Sequence, residues 1–322
     1  MKKFIRDNLK KLILFALVLI AIGVFVGITV KKQNDKNKNT VVFVFDDLYY
    51  NNVYRNDRKN INKILKKHYA RPVVITYSLY RFSYDELEQK IRTEVENSCP
   101  THIIFSPITA LNLYKSNATS EIGTHNRGRA RLISLSKIGR TELFDVSYKE
   151  SSEDLYNLFS AIINAQDENT SFVFNNYSGK ENLMSLEEIR TKVVKDVFYL
   201  DEGMREKGEN ETKELYTSLA EKNTKIIISL GFKNLQNLSN HYESEKQNIL
   251  FILPETLKND VKSNQLGATI GIDFPLLLDQ ILDEVEITEK TTLGDNKAPL
   301  KVNIRNKNIK PIIEKVTEEI RK

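Results

Sequence analysis

Short, unbroken apolar runs alternate with helix-period segments from Val41 onward, and this alternation constrains the fold more than any other feature. Strands are predicted at Val41–Phe45, Val73–Tyr77, within Thr101–Pro107 and at Ala130–Ser136. Between them, Ile61, Ile64, Leu65 and Tyr69 share one face of a helix over residues 52–69. Leu87, Ile91 and Val95 do the same over 84–97, with Ser83 as its N-cap, and a third helix is expected over 108–115. After "FDVSYKESSED" the cycle restarts. Helices are expected at 154–165, 182–194, 211–222 and 233–242, and strands at 171–176, 196–200, 225–231 and 248–255. Residues 268–282 read as a strand running into a helix, residues 300–304 as a strand and 310–321 as a closing helix. Runs such as IIIS and ILFIL carry no polar alternation, which is the pattern of strands covered on both faces. Strand–helix alternation on this scale implies parallel sheets with crossover helices, and two successive sets imply two lobes.

A different signal precedes them. Leu12–Val30 holds 19 residues without a charge, flanked by lysines. As a helix at about 1.5 Å per residue it spans roughly one hydrocarbon core. A cleaved signal peptide prefers a shorter apolar stretch and small residues at its end, whereas this one ends VGITV, so the reading favours an uncleaved anchor. No cysteine stands directly after the stretch to carry a lipid. Residues 1–11 then form a short basic tail, 12–30 the transmembrane anchor or signal segment, and 31–40 a solvated linker. A short tail before a large domain predicts a single-pass membrane protein whose domain lies on the extracytoplasmic side.

Charge supports that division. Of the chain's 48 basic and 43 acidic residues, nine and two fall in residues 1–38, so the rest holds 39 and 41. The basic balance therefore belongs to the N-terminus. Nucleic-acid binding needs a basic face on the folded domain, so it is excluded as a function. Cys99 is the sole cysteine, which excludes an internal disulfide framework and any CxxC metal or redox motif.

Catalytic signatures are absent. No GxxxxGK[ST] loop, GxGxxG turn, GxSxG elbow or HExxH helix occurs, and the four histidines lack ligand spacing. The pair Asp46-Asp47 after the first strand suits a magnesium-dependent phosphoacceptor, but the third strand ends at Phe105-Ser106-Pro107, without the required acid. No catalytic residue, metal ligand or cofactor is therefore expected. Ligands of open parallel sheets sit beyond the carboxyl ends of strands. Polar and aromatic residues collect there: Asp46, Asp47, Tyr49, Ser106, Asn175, Asn176, Tyr177, Phe232, Glu255 and Asp273. Carboxylates and amides suit bidentate hydrogen bonds to hydroxyls, and the rings offer flat faces. The predicted ligand-binding set is Asp46, Asp47, Tyr49, Ser106, Asn175, Tyr177, Phe232 and Asp273.

The segments "VVFVFDD", "PTHIIFSP", "TSFVFNNYSGKENLMSLEEI", "TKIIISLGF", "NILFILPE", "GATIGIDFPLLLDQIL" and "LKVNIRNKNIKPIIEKV" together resemble the type I periplasmic substrate-binding proteins of ABC transporters. That group includes the sugar-binding and lactose-repressor-like effector domains. The resemblance implies an α/β fold of two doubly wound parallel-sheet lobes joined by a hinge, preceded here by one N-terminal transmembrane helix. Lobe I would comprise residues 41–148 plus 268–288, and lobe II residues 149–267 plus 289–322. Crossovers are expected near 145–150, 266–272 and 286–296. The implied partners are a small polar ligand (sugar, nucleoside or amino-acid-like), a permease or sensor, and the membrane through residues 12–30. The alternative is an envelope structural or interaction protein that keeps the fold without binding.

Overall fold

The computed structural model describes residues 39–81, 83–115, 130–136, 144–150, 152–166, 170–175, 197–200, 208–229, 235–283, 296–307, 309–311 and 313–314. The predicted membrane segment and the helix expected over 182–194 lie outside these residues. Among the described residues, no helix is long and apolar enough to cross a membrane.

Twelve strands form two six-stranded sheets among the described residues. The first holds β1 (Asn39–Asp46), β2 (Ala70–Tyr77), β3 (His102–Phe105), β4 (Arg131–Ser134), β5 (Val146–Glu150) and β11 (Asn296–Ala298), in the order β11-β5-β4-β3-β1-β2. The second holds β6 (Thr170–Asn175), β7 (Val197–Leu200), β8 (Ile226–Ser229), β9 (Leu250–Pro254), β10 (Leu266–Ile272) and β12 (Leu300–Ile304), in the order β12-β10-β9-β8-β6-β7. Every pairing is parallel except β10 with β12.

The continuous apolar runs have a direct cause. On β1, Val41, Phe43 and Phe45 point into one core and Val42 and Val44 into another, so neither face meets water. The first face packs on α1 (Arg55–Lys67) through Ile61 and Leu65. The other packs on α2 (Tyr84–Ser98) and α3 (Pro107–Lys115) through Leu87, Ile91, Ala110 and Leu113. The second sheet is built alike. One face packs on α4 (Ser152–Gln166) through Leu158, Phe159 and Ile162. The other packs on α5 (Gly208–Glu221) and α6 (Leu235–Ser244) through Leu215, Leu219, Leu235 and Tyr242. Ser83 caps α2 as expected, its hydroxyl accepting from Glu86 N–H.

Three crossovers join the lobes. The chain passes from β5 to α4, from β10 to α7 (Phe274–Asp283), and from β11 to β12 through Pro299. Asp273 N–H donates to the Pro299 carbonyl at 2.7 Å, so two crossovers are hydrogen-bonded side by side. The lobe boundaries differ from the sequence reading here. Strand β10, expected in lobe I, hydrogen-bonds to β9 and β12 in the second sheet. Only its helix α7 returns, burying Phe274, Leu277, Leu278 and Ile281 against Phe43 and Phe45. The crossover falls between strand and helix, at Asp273, and a strand–helix pattern cannot show where that break lies. Residues 296–298, expected in lobe II, pair with β5 in the first sheet.

Candidate functional site between the lobes

The carboxyl ends of β1 and β9 lead into segments that meet across the lobes. After β1 come a helical turn at Asp47–Tyr49 and a π-helical turn at Tyr50–Tyr54, which continues into α1. After β9 comes a 3-10 turn at Glu255–Asp260. Asn52, only 4% exposed, joins the two. Its Nδ2 donates to the Thr256 carbonyl at 2.7 Å, and its Oδ1 accepts from Asn259 Nδ2 at 2.7 Å. Its carbonyl accepts from Lys258 Nζ at 2.8 Å. Closer to the crossover at Pro299, Lys301 Nζ contacts Asp57 Oδ2 at 2.5 Å.

On the second-lobe side Glu255 organises the seam. Its Oε1 accepts from Lys258 Nζ at 2.7 Å, and its Oε2 accepts from the Thr269 hydroxyl and, at 3.0 Å, from Asn303 Nδ2. Burial pushes this carboxyl up, but the donors from Lys258, Thr269 and Asn303 more than reverse that and hold it below its ordinary range. Glu255 is thus an ionised anchor that aims Lys258 at Asn52.

On the first-lobe side a buried polar chain links three strand ends. Asp46 Oδ1 accepts from Tyr49 N–H at 2.9 Å, capping the helical turn, and Oδ2 accepts from the Ser106 hydroxyl at 2.7 Å. Ser106 Oγ lies 2.6 Å from Thr109 Oγ1, which accepts from the Tyr77 hydroxyl at 3.0 Å. Burial raises the Asp46 carboxyl despite the donors from Ser106 and Tyr49, and burial likewise raises the Tyr77 phenol.

The predicted residues therefore separate. Asp46 (1% exposed) and Ser106 (0% exposed) come together, but their polar atoms are engaged within the lobe. Tyr49 is buried against Phe45 and Phe274. Asp47 is half-buried beside them and its Oδ1 accepts from Leu79 N–H at 3.3 Å. Asp273 is half-buried at the crossover, and its Oδ1 accepts from Leu276 N–H at 3.3 Å. Asn175 ends β6, level with Leu200 of β7. Tyr177 and Phe232 lie outside the described residues. The seam residues Asn52, Thr256, Lys258 and Asn259 were not in the predicted set. Glu255 was visible as a polar strand end, but nothing local relates residue 52 to residues 256–259.

Among the described residues, one group elsewhere has metal-ligand chemistry, namely His68, Asp279 and Asp283. Lys67 Nζ lies 2.9 Å from Asp279 Oδ1 and 3.3 Å from Asp283 Oδ2, so an ammonium already supplies the positive charge there. The group ties the C-terminal end of α1 to α7.

No family model matches the chain, and no curated protein matches it. Solved structures do match. They include a sugar ABC transporter sugar-binding protein from Bacillus halodurans, with 10% identity, TM-score 0.58, and 86% of this chain covering 99% of that one. A Caulobacter myo-inositol-binding protein bound to myo-inositol matches with 13% identity and TM-score 0.53, over 87% of this chain and 97% of its own. The lac repressor dimer bound to operator and an anti-inducer matches with 12% identity and TM-score 0.56, over 86% and 96%. At these identities the likeness shows the fold. The chain has the two-lobed architecture of type I periplasmic sugar-binding proteins and LacI-family regulators, as its strand runs suggest.

Proposed function

We propose that this chain is a membrane-tethered extracytoplasmic solute-binding protein that closes its lobes on a small polar ligand and presents it to a transporter or sensor. One observation carries the reading. Two mainly parallel sheets turn the carboxyl ends of their parallel strands toward a common seam across three crossovers, the arrangement in which open α/β sheets hold ligands. Binding proteins for sugars and inositol share the architecture, which favours a sugar or similar polyhydroxylated ligand over other small polar solutes. The role proposed is binding: among the described residues, the polar groups at the seam pair with one another as donors and acceptors. The operator-bound relative raises nucleic acid as a partner, but residues 39–322 carry 39 basic and 41 acidic residues, so the folded body lacks the charge for it. Leu12–Val30 supplies the tether.

A second reading has its own support. Asn52 fills part of the seam with protein groups, and Asp46 and Ser106 satisfy each other. A protein that keeps the fold for an envelope contact without binding a solute would look the same at these positions. Titration calorimetry and thermal shift of the full chain in lipid nanodiscs, against sugars, nucleosides and amino acids, separate the two. A ligand at one hundred times its Kd adds about 2.7 kcal/mol of stability, a shift of several degrees. Heat and stabilisation from one ligand class support solute binding. A panel with no response at millimolar concentration supports the structural role.

A further inference from the structure

We propose that the lower end of the first lobe, around Tyr69, is a membrane-facing patch that docks on anionic lipid headgroups; this rests on the tether reading above. Tyr69 is 79% exposed and holds φ 52°. A bulky side chain in the left-handed region is disfavoured, and glycine or asparagine would make the same turn more readily. Neither core packing nor turn geometry asks for tyrosine at this position. Its setting does. Ala70 pairs with Asn39 and Arg71 with Thr40, so Tyr69 stands beside the point where residues 1–38 join the domain. Eight residues, Lys31–Lys38, separate Asn39 from the uncharged run ending at Val30. Eight residues reach at most about 28 Å. This end of the lobe is therefore held near the bilayer.

The charge at this end is complementary to such a surface. Lys63 and Lys66 on α1 and Arg71 on β2 are exposed around Tyr69. The acids of α7 on the same sheet face, Asp279 and Asp283, are engaged by Lys67 and His68, and Glu94 and Glu96 at the end of α2 belong to the helix on the opposite face. Basic residues close to a bilayer are drawn to anionic lipid, and tyrosine partitions to the headgroup level with its ring buried and its hydroxyl wet. Docking would fix the lobe's orientation and leave the distal second lobe free to move.

The test uses the full chain in nanodiscs of phosphatidylcholine with or without phosphatidylglycerol. Cys99→Ser removes the native thiol, and Tyr69→Cys or Asn264→Cys carries an environment-sensitive fluorophore. Asn264 is exposed and lies just before β10, at the far pole of the second lobe. The expected result is quenching by headgroup-level spin labels at position 69 only, in anionic discs only. Adding Lys66→Glu and Arg71→Glu should return it to the level seen in phosphatidylcholine. Equal quenching at 69 and 264, or none at 69 in discs that retain the chain, overturns the docking patch and leaves the tether standing. A chain that does not co-elute with the discs overturns both.

Discussion

At the scale of the residue, Asp46 and Glu255 are opposite cases of a carboxylate at a strand end. Asp46 is raised above 3.8 by burial, so the folded protein favours its protonated form. The stability it adds is present below the unfolded value and is lost as pH rises from 3.8 through the raised folded value. Glu255 is depressed below 4.5, so its contribution is present above 4.5 and is lost as pH falls through its lower folded value. Asp46→Asn should therefore flatten the decline above 3.8, and Glu255→Gln should flatten the acid-side loss below 4.5, when urea unfolding is followed across pH. At neutral pH, Ser106→Ala should cost about 1–3 kcal/mol by removing a donor from a buried carboxylate. Asp46→Asn, which can still cap Tyr49 N–H, should cost less than Asp46→Ala in the same urea melts. These roles were only half legible. A carboxylate after an apolar strand is equally suited to meeting a ligand and to capping the next turn, and only the partner's position decides. Asp46 finds Ser106, 60 residues away, and Tyr49 N–H.

At the scale of the element, the continuous runs identified most strands because both sheet faces are covered, which removes polar residues from the strand interior. The strand at Leu300–Ile304 appears where its run predicts. Asn296–Ala298 has no such run, since its place in the sheet rests on main-chain pairing with Tyr148–Glu150. The π-helical turn at Tyr50–Tyr54 was equally hidden. A helix expected from residue 52 begins earlier, and the wider turn buries Val53 and Tyr54 in the core while turning Asn52 toward the other lobe. Helix ends offer a sharper test. Cys99 closes α2 in the left-handed region with φ 45°, and its side chain is exposed. Cys99→Gly removes the Cβ that this conformation crowds and should stabilise the protein by about 1 kcal/mol, read as a higher urea midpoint with unchanged slope.

At the scale of the whole molecule, the seam decides how the lobes move. Asn52 makes three hydrogen bonds to the second lobe and Asp57 one ion pair, all more than 200 residues away in sequence. Each bond contributes about 0.5–1.5 kcal/mol net, so together they hold the lobes by a few kcal/mol. A two-state equilibrium shifts tenfold for about 1.4 kcal/mol, so losing two bonds is enough to populate an open form. Asn52→Ala combined with Lys301→Ala should increase the radius of gyration in small-angle scattering of the detergent-solubilised, ligand-free chain, with unchanged far-ultraviolet dichroism. If ligand binds the closed form, the same variant should weaken binding by the factor by which the closed population falls. Larger dimensions with unaltered affinity would place the binding groups in one lobe alone. Unchanged dimensions would move the restraint to the paired crossovers, where Asp273 N–H meets the Pro299 carbonyl and main-chain bonds survive any side-chain change.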